Sequence, residues 1–170
     1  MLLHASRVAN GQAIYVPPSI DFIPFIYPPM YPWLVGGLSN LGLPLDYTLG
    51  RAVSIAGVAL AGGVLAAAVR KEGGSWALGI GGAALFWATY PACGAFFDLV
   101  RNDGLQVGLI ASSLLACRCG AVRSAGLLLT AAFLTKHTAA LYGVCSLWWL
   151  HHHQGRGAAL RYIRWSVVPA

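Results

Sequence analysis

The chain has 170 residues, of which 58% are hydrophobic and 9% charged, with a net charge of +6. An ordinary soluble domain is about 45–50% apolar and about 25% charged, so this chain has too few charges to clothe a water-facing surface. Its basic residues stand singly or in pairs between apolar runs, with no basic stripe and no nucleic-acid module, which argues against nucleic acid as a partner. The composition predicts an all-α, polytopic transmembrane helix bundle inserted in the bilayer, with a Pro/aromatic-rich interfacial first loop. The corresponding location is the inner (plasma) membrane, as a multi-pass protein.

Residues 1–12 contain no apolar stretch of signal-peptide length, and the chain opens as though within a loop. Residues 1–48 read as an external loop. Pro17, Pro18, Pro24, Pro28, Pro29, Pro32 and Pro44 forbid a continuous helix there. The interleaved Tyr15, Phe22, Phe25, Tyr27, Tyr31 and Trp33 suit the headgroup level of a membrane. One short interfacial helix is expected over residues 31–41.

Residues 49–170 read as one membrane domain. The run 49–69 has about the 20 residues that a bilayer core requires, and Arg70, Lys71 and Glu72 stop it. A second span is expected over 75–97, with Pro91 near its end. Gly62, Gly63, Gly79, Gly81 and Gly82 are expected to let neighbouring helices approach closely. Residues 98–103 form a polar break, and 105–117 a shorter apolar run.

The stretch 124–150 is apolar except for Thr135, Lys136, His137 and Thr138. As one span it would bury Lys136 near the bilayer centre, at roughly 2.5–3.5 kcal/mol or more. As two helices it places Arg70, Lys71, Arg118, Arg123, Arg156, Arg161 and Arg164 on one side, leaving Arg7, Arg51, Arg101 and Lys136 opposite. The positive-inside rule favours two helices. Asp21, Asp98, Arg101, Asp103, Lys136 and His137 then share the non-cytoplasmic face. The ending, 165–170, reads as the first turn of a further apolar helix, and the whole as a fragment cut at both ends.

Several groups on that face carry chemistry. Asp103 opens an apolar helix, where a carboxylate is either a cap or a general base or metal ligand at the membrane surface. Asp98 and Arg101 are spaced for an ion pair. Lys136, beside His137, calls for an anionic partner such as a lipid phosphate, or snorkels to the interface. His151, His152 and His153 read as a solvated loop, since consecutive histidines on a helix diverge. Cys93, Cys117, Cys119 and Cys145 read as small core residues, because Cys117 and Cys119 are too close for the usual zinc spacing.

The stretch Tyr27-Pro28-Pro29-Met30-Tyr31 with Trp33-Leu34 resembles the YPPLY-type motif of GT-C polytopic membrane glycosyltransferases, of the dolichyl-phosphate-mannose–protein mannosyltransferase kind. The stretch from His4 to Tyr15 is similar to their first-loop A-x-R-x-x-x-G-x-x-x-Y pattern. Asp98-Leu99-Val100-Arg101-Asn102-Asp103 resembles their D-x-x-R-x-D segment. The stretch from Gly126 to Thr138 resembles their G-L-L-L-x-x-A-F-x-T-K-Q-T turn, with His137 in place of glutamine. The resemblance implies an enzyme moving a sugar from a polyprenyl-phosphate donor, the lipid-linked sugar, to an acceptor on the non-cytoplasmic side.

By that resemblance Asp103 and Asp98 are the candidate catalytic acids, and Lys136, His137, Arg101 and Tyr27 the candidate substrate-binding groups. No metal ligand and no definite cofactor is assigned, with room left for a divalent metal. The family's first-loop acid would precede Met1, and Asp21 does not take its place, so the chain alone is expected to be inactive. The competing class is a non-catalytic membrane protein, such as part of a transporter or an assembly subunit.

Overall fold

The structure is a computed structural model and describes residues 1–167. Among them are eight helices: α1 (Leu2–Ala9), α2 (Met30–Asn40), α3 (Tyr47–Lys71), α4 (Trp76–Ala88), α5 (Asp103–Arg118), α6 (Val122–Thr135), α7 (Ala139–Gln154) and α8 (Arg156–Val167). No strand occurs among the described residues, only an isolated bridge between Ser19 and Phe22. The all-α class therefore stands. One helix, α3, is long and apolar enough to cross a membrane, and α4 and α6 are shorter apolar helices.

The start of the chain is helical rather than loop-like. On α1, Ala5 is buried against α2, and a Cβ at Gly36 would meet the Ala5 carbonyl at 2.7 Å. The proline-rich stretch between these helices folds back on α1. There Arg7 Nε donates to the Ala13 carbonyl (2.8 Å), and Tyr15 Oη to the Tyr27 carbonyl (2.7 Å). The expected interfacial helix is α2, with Pro29 as its N-cap and Pro32 in its first turn, where a missing N–H costs little. Tyr31 is fully buried; its hydroxyl donates to the Gly50 carbonyl (2.8 Å) and lies 3.1 Å from Ser54 Oγ. It therefore fixes α2 to the start of α3.

Asp46 caps α3 by accepting from the Leu49 N–H (2.9 Å), and Ser75 caps α4 by accepting from Leu78 (3.2 Å). The expected span over 75–97 is shorter than read, since α4 stops at Ala88. Pro91 offers no N–H and disfavours helical backbone at Tyr90, so residues 89–102 run as turns. Gly94 and Ala95 there take φ of +64° and +59°. For Ala95 that conformation costs roughly 1–2 kcal/mol.

Helices α3 and α5 run parallel and touch backbone to backbone. A Cβ on Gly57 would stand 2.5 Å from the Gly104 carbonyl, and one on Gly104 2.5 Å from the Ser54 carbonyl. Of the glycines singled out in the sequence, Gly62 faces Trp87 and Gly79 faces the Ala66 carbonyl, whereas Gly63 and Gly81 face open space. The deciding glycines are Gly57, Gly104 and Gly108.

Residues 124–150 are divided between two helices, α6 and α7. Lys136 ends α6 in extended backbone (φ −159°, ψ 126°). Gln154 Nε2 donates to the Cys117 carbonyl (2.8 Å), and Arg118 pairs with Glu72. The ends of α3, α5 and α7 thus meet at the end of the bundle opposite Lys136. His151, His152 and His153 are exposed, but in the last turn of α7 rather than in a loop. The cysteines divide: Cys117 is buried, while Cys93, Cys119 and Cys145 are exposed.

Past Gly155 the chain forms α8, which buries Ala158, Ala159 and Tyr162 and exposes Arg156, Arg161 and Arg164. The expected first turn over 165–170 is partly the end of this basic amphipathic helix, and 168–170 lie outside the described residues.

Candidate functional site

The site is assembled by the break between α6 and α7. At such a break the last carbonyls of one helix and the first groups of the next lose their intrahelical partners. Helix α5 supplies replacements. Asn102 Nδ2 donates to the Thr135 carbonyl (2.9 Å), and Gln106 Nε2 donates both to the Lys136 carbonyl (3.1 Å) and to Thr138 Oγ1 (2.8 Å). Asn102 is fully buried and Gln106 nearly so. These amide donors hold the turn, because leaving a buried carbonyl without a partner costs about 1–3 kcal/mol, while Asn102 Oδ1 stays buried with no partner among the described residues. Sequence reasoning overlooked both residues. The available signal was Gln106, the first polar side chain in an otherwise apolar run.

This clamp delivers Lys136 to Asp103. Lys136 Nζ donates to Asp103 Oδ1 at 2.6 Å, and Arg101 Nε to Asp103 Oδ2 at 2.8 Å. The side chains of Lys136 and Asp103 are 22% and 28% exposed, so the pair is largely withdrawn from solvent yet open on one side. Tyr27 of the first loop stands beside the pair, its ring centroid 5.7 Å from Lys136 Nζ. A cation over a phenol face is attracted by the ring quadrupole. Asp103 does not cap α5, whose N-cap Asn102 makes no side-chain capping bond; both carboxylate oxygens go to cations instead.

Asp98 belongs to a separate group. The expected Asp98–Arg101 pair does not form, because Arg101 turns to Asp103 while Arg51 of α3 reaches Asp98. Tyr90 Oη donates to the other Asp98 oxygen at 2.9 Å. The Tyr90 hydrogen bond, then Arg51, hold the Asp98 carboxyl below the usual carboxylate range, and the same bond raises the Tyr90 phenol. Ser54 Oγ, which donates to the Arg101 carbonyl (2.8 Å), ties this segment to α3.

Two other expected members stay apart. His137 is exposed, and its ring makes no hydrogen bond or ion pair among the described residues. Asp21 is exposed in the first loop and likewise joins no ion pair among the described residues. The described residues gather no group of three or more His, Cys, Asp or Glu able to hold a metal ion. A divalent cation at Asp103 would find one protein carboxylate already shared by two cations, which is a poor fit.

The site therefore contains a carboxylate clamped by an ammonium and a guanidinium at one end of a helix bundle, with the Tyr27 ring beside the ammonium. Such an array exchanges one anion for another: a phosphate can take the two cations and release the carboxylate. Comparison of the chain with family models, with curated proteins and with solved structures returns no match. The functional reading rests on the geometry.

Proposed function

We propose that the chain is part of a multi-pass membrane glycosyltransferase whose Lys136–Asp103–Arg101 cluster receives the phosphate of a polyprenyl-phosphate sugar donor. The observation that carries the reading is the pairing of Asp103 with two cations beside Tyr27. Outward-facing Leu78, Ile80, Leu85, Leu141 and Val144 support burial of the bundle in lipid. The exposed arginines of α8 support a cytoplasmic face at the opposite end, since a basic amphipathic helix suits an anionic leaflet.

In this reading the donor phosphate draws Lys136 and Arg101 off Asp103. The carboxylate so released accepts the proton of the acceptor hydroxyl as that oxygen bonds to the anomeric carbon. The bond from that carbon to the phosphate oxygen breaks, and its electron pair leaves with the lipid phosphate. Cations placed where the leaving charge develops lower the barrier, and a positioned base contributes on the order of 10²–10⁴ in rate. Asp103 unaided would be a weak base, because two cations favour its ionised form.

The test is lipid binding by the chain in detergent micelles, with farnesyl phosphate and farnesol as probes. The expected result is tighter retention of the phosphate by about tenfold or more, lost in Lys136→Met. Equal binding of the two lipids, or a phosphate preference untouched by Lys136→Met, refutes the reading and leaves a non-catalytic membrane protein.

A further inference from the structure

Beside the Asp103 cluster lies an open cavity of about 520 Å³, lined by Tyr47, Arg51, Tyr90, Asp98, Leu99 and Arg101. A second, more apolar cavity of about 410 Å³ shares Tyr90 and Asp98 with it and is floored by Ile55, Val58 and Trp87. Neither is explained by the phosphate reading. Their walls combine a carboxylate, two guanidiniums and two phenols with an apolar floor.

We propose that this double cavity is a binding site for a monosaccharide ring, with Asp98 and Arg51 engaging vicinal hydroxyls and Tyr47 and Tyr90 covering an apolar ring face. The inference deepens the donor reading, because Arg101 lines the cavity and also holds Asp103, so a sugar in the cavity stands next to its own phosphate.

The chemistry selects a neutral polyol. A carboxylate offers about four acceptor sites and a guanidinium five donors, and each partner here uses few of them internally. Asp98 accepts one bond from Arg51 and one from Tyr90, so lone pairs remain for sugar hydroxyls, and the free guanidinium hydrogens of Arg51 can be accepted by hydroxyl oxygens. A phosphate in the same place would meet the negative charge of Asp98. Tyr47 is 73% exposed at the mouth, available as a stacking face with no role in the core. The guanidinium of Arg101 is fixed by the Phe96 ring, 4.6 Å from its centroid, and so presents the cavity with a rigid wall. The volumes fall within the roughly 300–1,000 Å³ of small-molecule sites. Asp98 is thereby a substrate-binding residue rather than a second catalytic acid.

The experiment is saturation-transfer NMR on the chain in detergent, with free mannose, glucose, galactose and arabinose and with inorganic phosphate as separate probes. Expected is transfer to ring protons of at least one sugar. It should fall by about tenfold in Asp98→Asn, which removes a charged acceptor. It should also fall in Tyr47→Ala, an exposed change that leaves the fold intact. Inorganic phosphate should not displace the sugar. Absence of transfer from every sugar, transfer that survives both Asp98→Asn and Tyr47→Ala, or displacement by phosphate would each overturn the proposal. Farnesyl phosphate binding, read separately, scores the donor reading, so failure of one leaves the other standing.

Discussion

The pair between Lys136 and Asp103 is the feature on which the site depends, and a double-mutant cycle measures it. An exposed ion pair contributes about 0.2–1 kcal/mol. Breaking a fully buried one costs about 3–5 kcal/mol, because one charge is left without a partner. With side chains 22% and 28% exposed, this pair lies between the limits, and its coupling should be about 1–2 kcal/mol. Asp103→Asn should cost more than Lys136→Met, since it strands both Lys136 and Arg101. Lys136→Met keeps the apolar stem and leaves Asp103 with Arg101. Adding Lys136→Met to Asp103→Asn should then restore part of the loss, because the stranded ammonium is gone. Thermal unfolding in one detergent reads the cycle, at roughly 2–4 °C per kcal/mol for a chain of this size. Losses that add within about 0.5 kcal/mol would mean that the two side chains do not interact, and the site as described would fall.

Two further outcomes follow from the packing and from the charge distribution. Gly104→Ala on α5 should destabilise the chain by about 1–3 kcal/mol, because its Cβ would stand 2.5 Å from the Ser54 carbonyl, whereas Gly63→Ala, facing open space on α3, should be neutral or stabilising. Equal thermal midpoints for the two variants would contradict the α3–α5 contact. In sealed vesicles, a cysteine replacing Arg156 should react with an impermeant maleimide from the same side as one replacing Lys71, in a background where Cys93, Cys117, Cys119 and Cys145 are serine. Labelling from opposite sides would remove the two-helix topology of residues 124–150.

Much of the architecture is legible along the chain because it is set by local terms. Apolar runs bounded by charge make helices, and Asp46 and Ser75 cap them where capping residues are expected. The proline spacing leaves room for one helix in the first loop, and Thr135 to Thr138 interrupts the long apolar stretch with groups that want polar partners. These readings need only neighbours in sequence. Two readings fail: Pro91, a local cause, ends α4 earlier than hydropathy suggests, whereas the short start of the chain becomes α1 against α2, a tertiary contact.

The pairing of charges needed the third dimension. By sequence alone, Asp98 and Arg101 are partners, Asp103 is either a cap or a catalytic acid, and His137 accompanies Lys136. In the structure Arg51 reaches Asp98 across 47 residues, and Lys136 reaches Asp103 across 33. Gly57 and Gly104 decide this, since only at backbone contact between α3 and α5 do Ser54 and Arg51 stand beside residues 98–103. Asn102 and Gln106 complete it by holding the α6–α7 break at the depth of Asp103. The sequence by itself determined which segments are helical and where polar groups interrupt them, because those depend on propensity, capping and hydropathy over a few residues. Tertiary structure alone decided which cation meets which carboxylate, because an ion pair forms at a few ångströms and that distance is set by how helices remote in sequence pack.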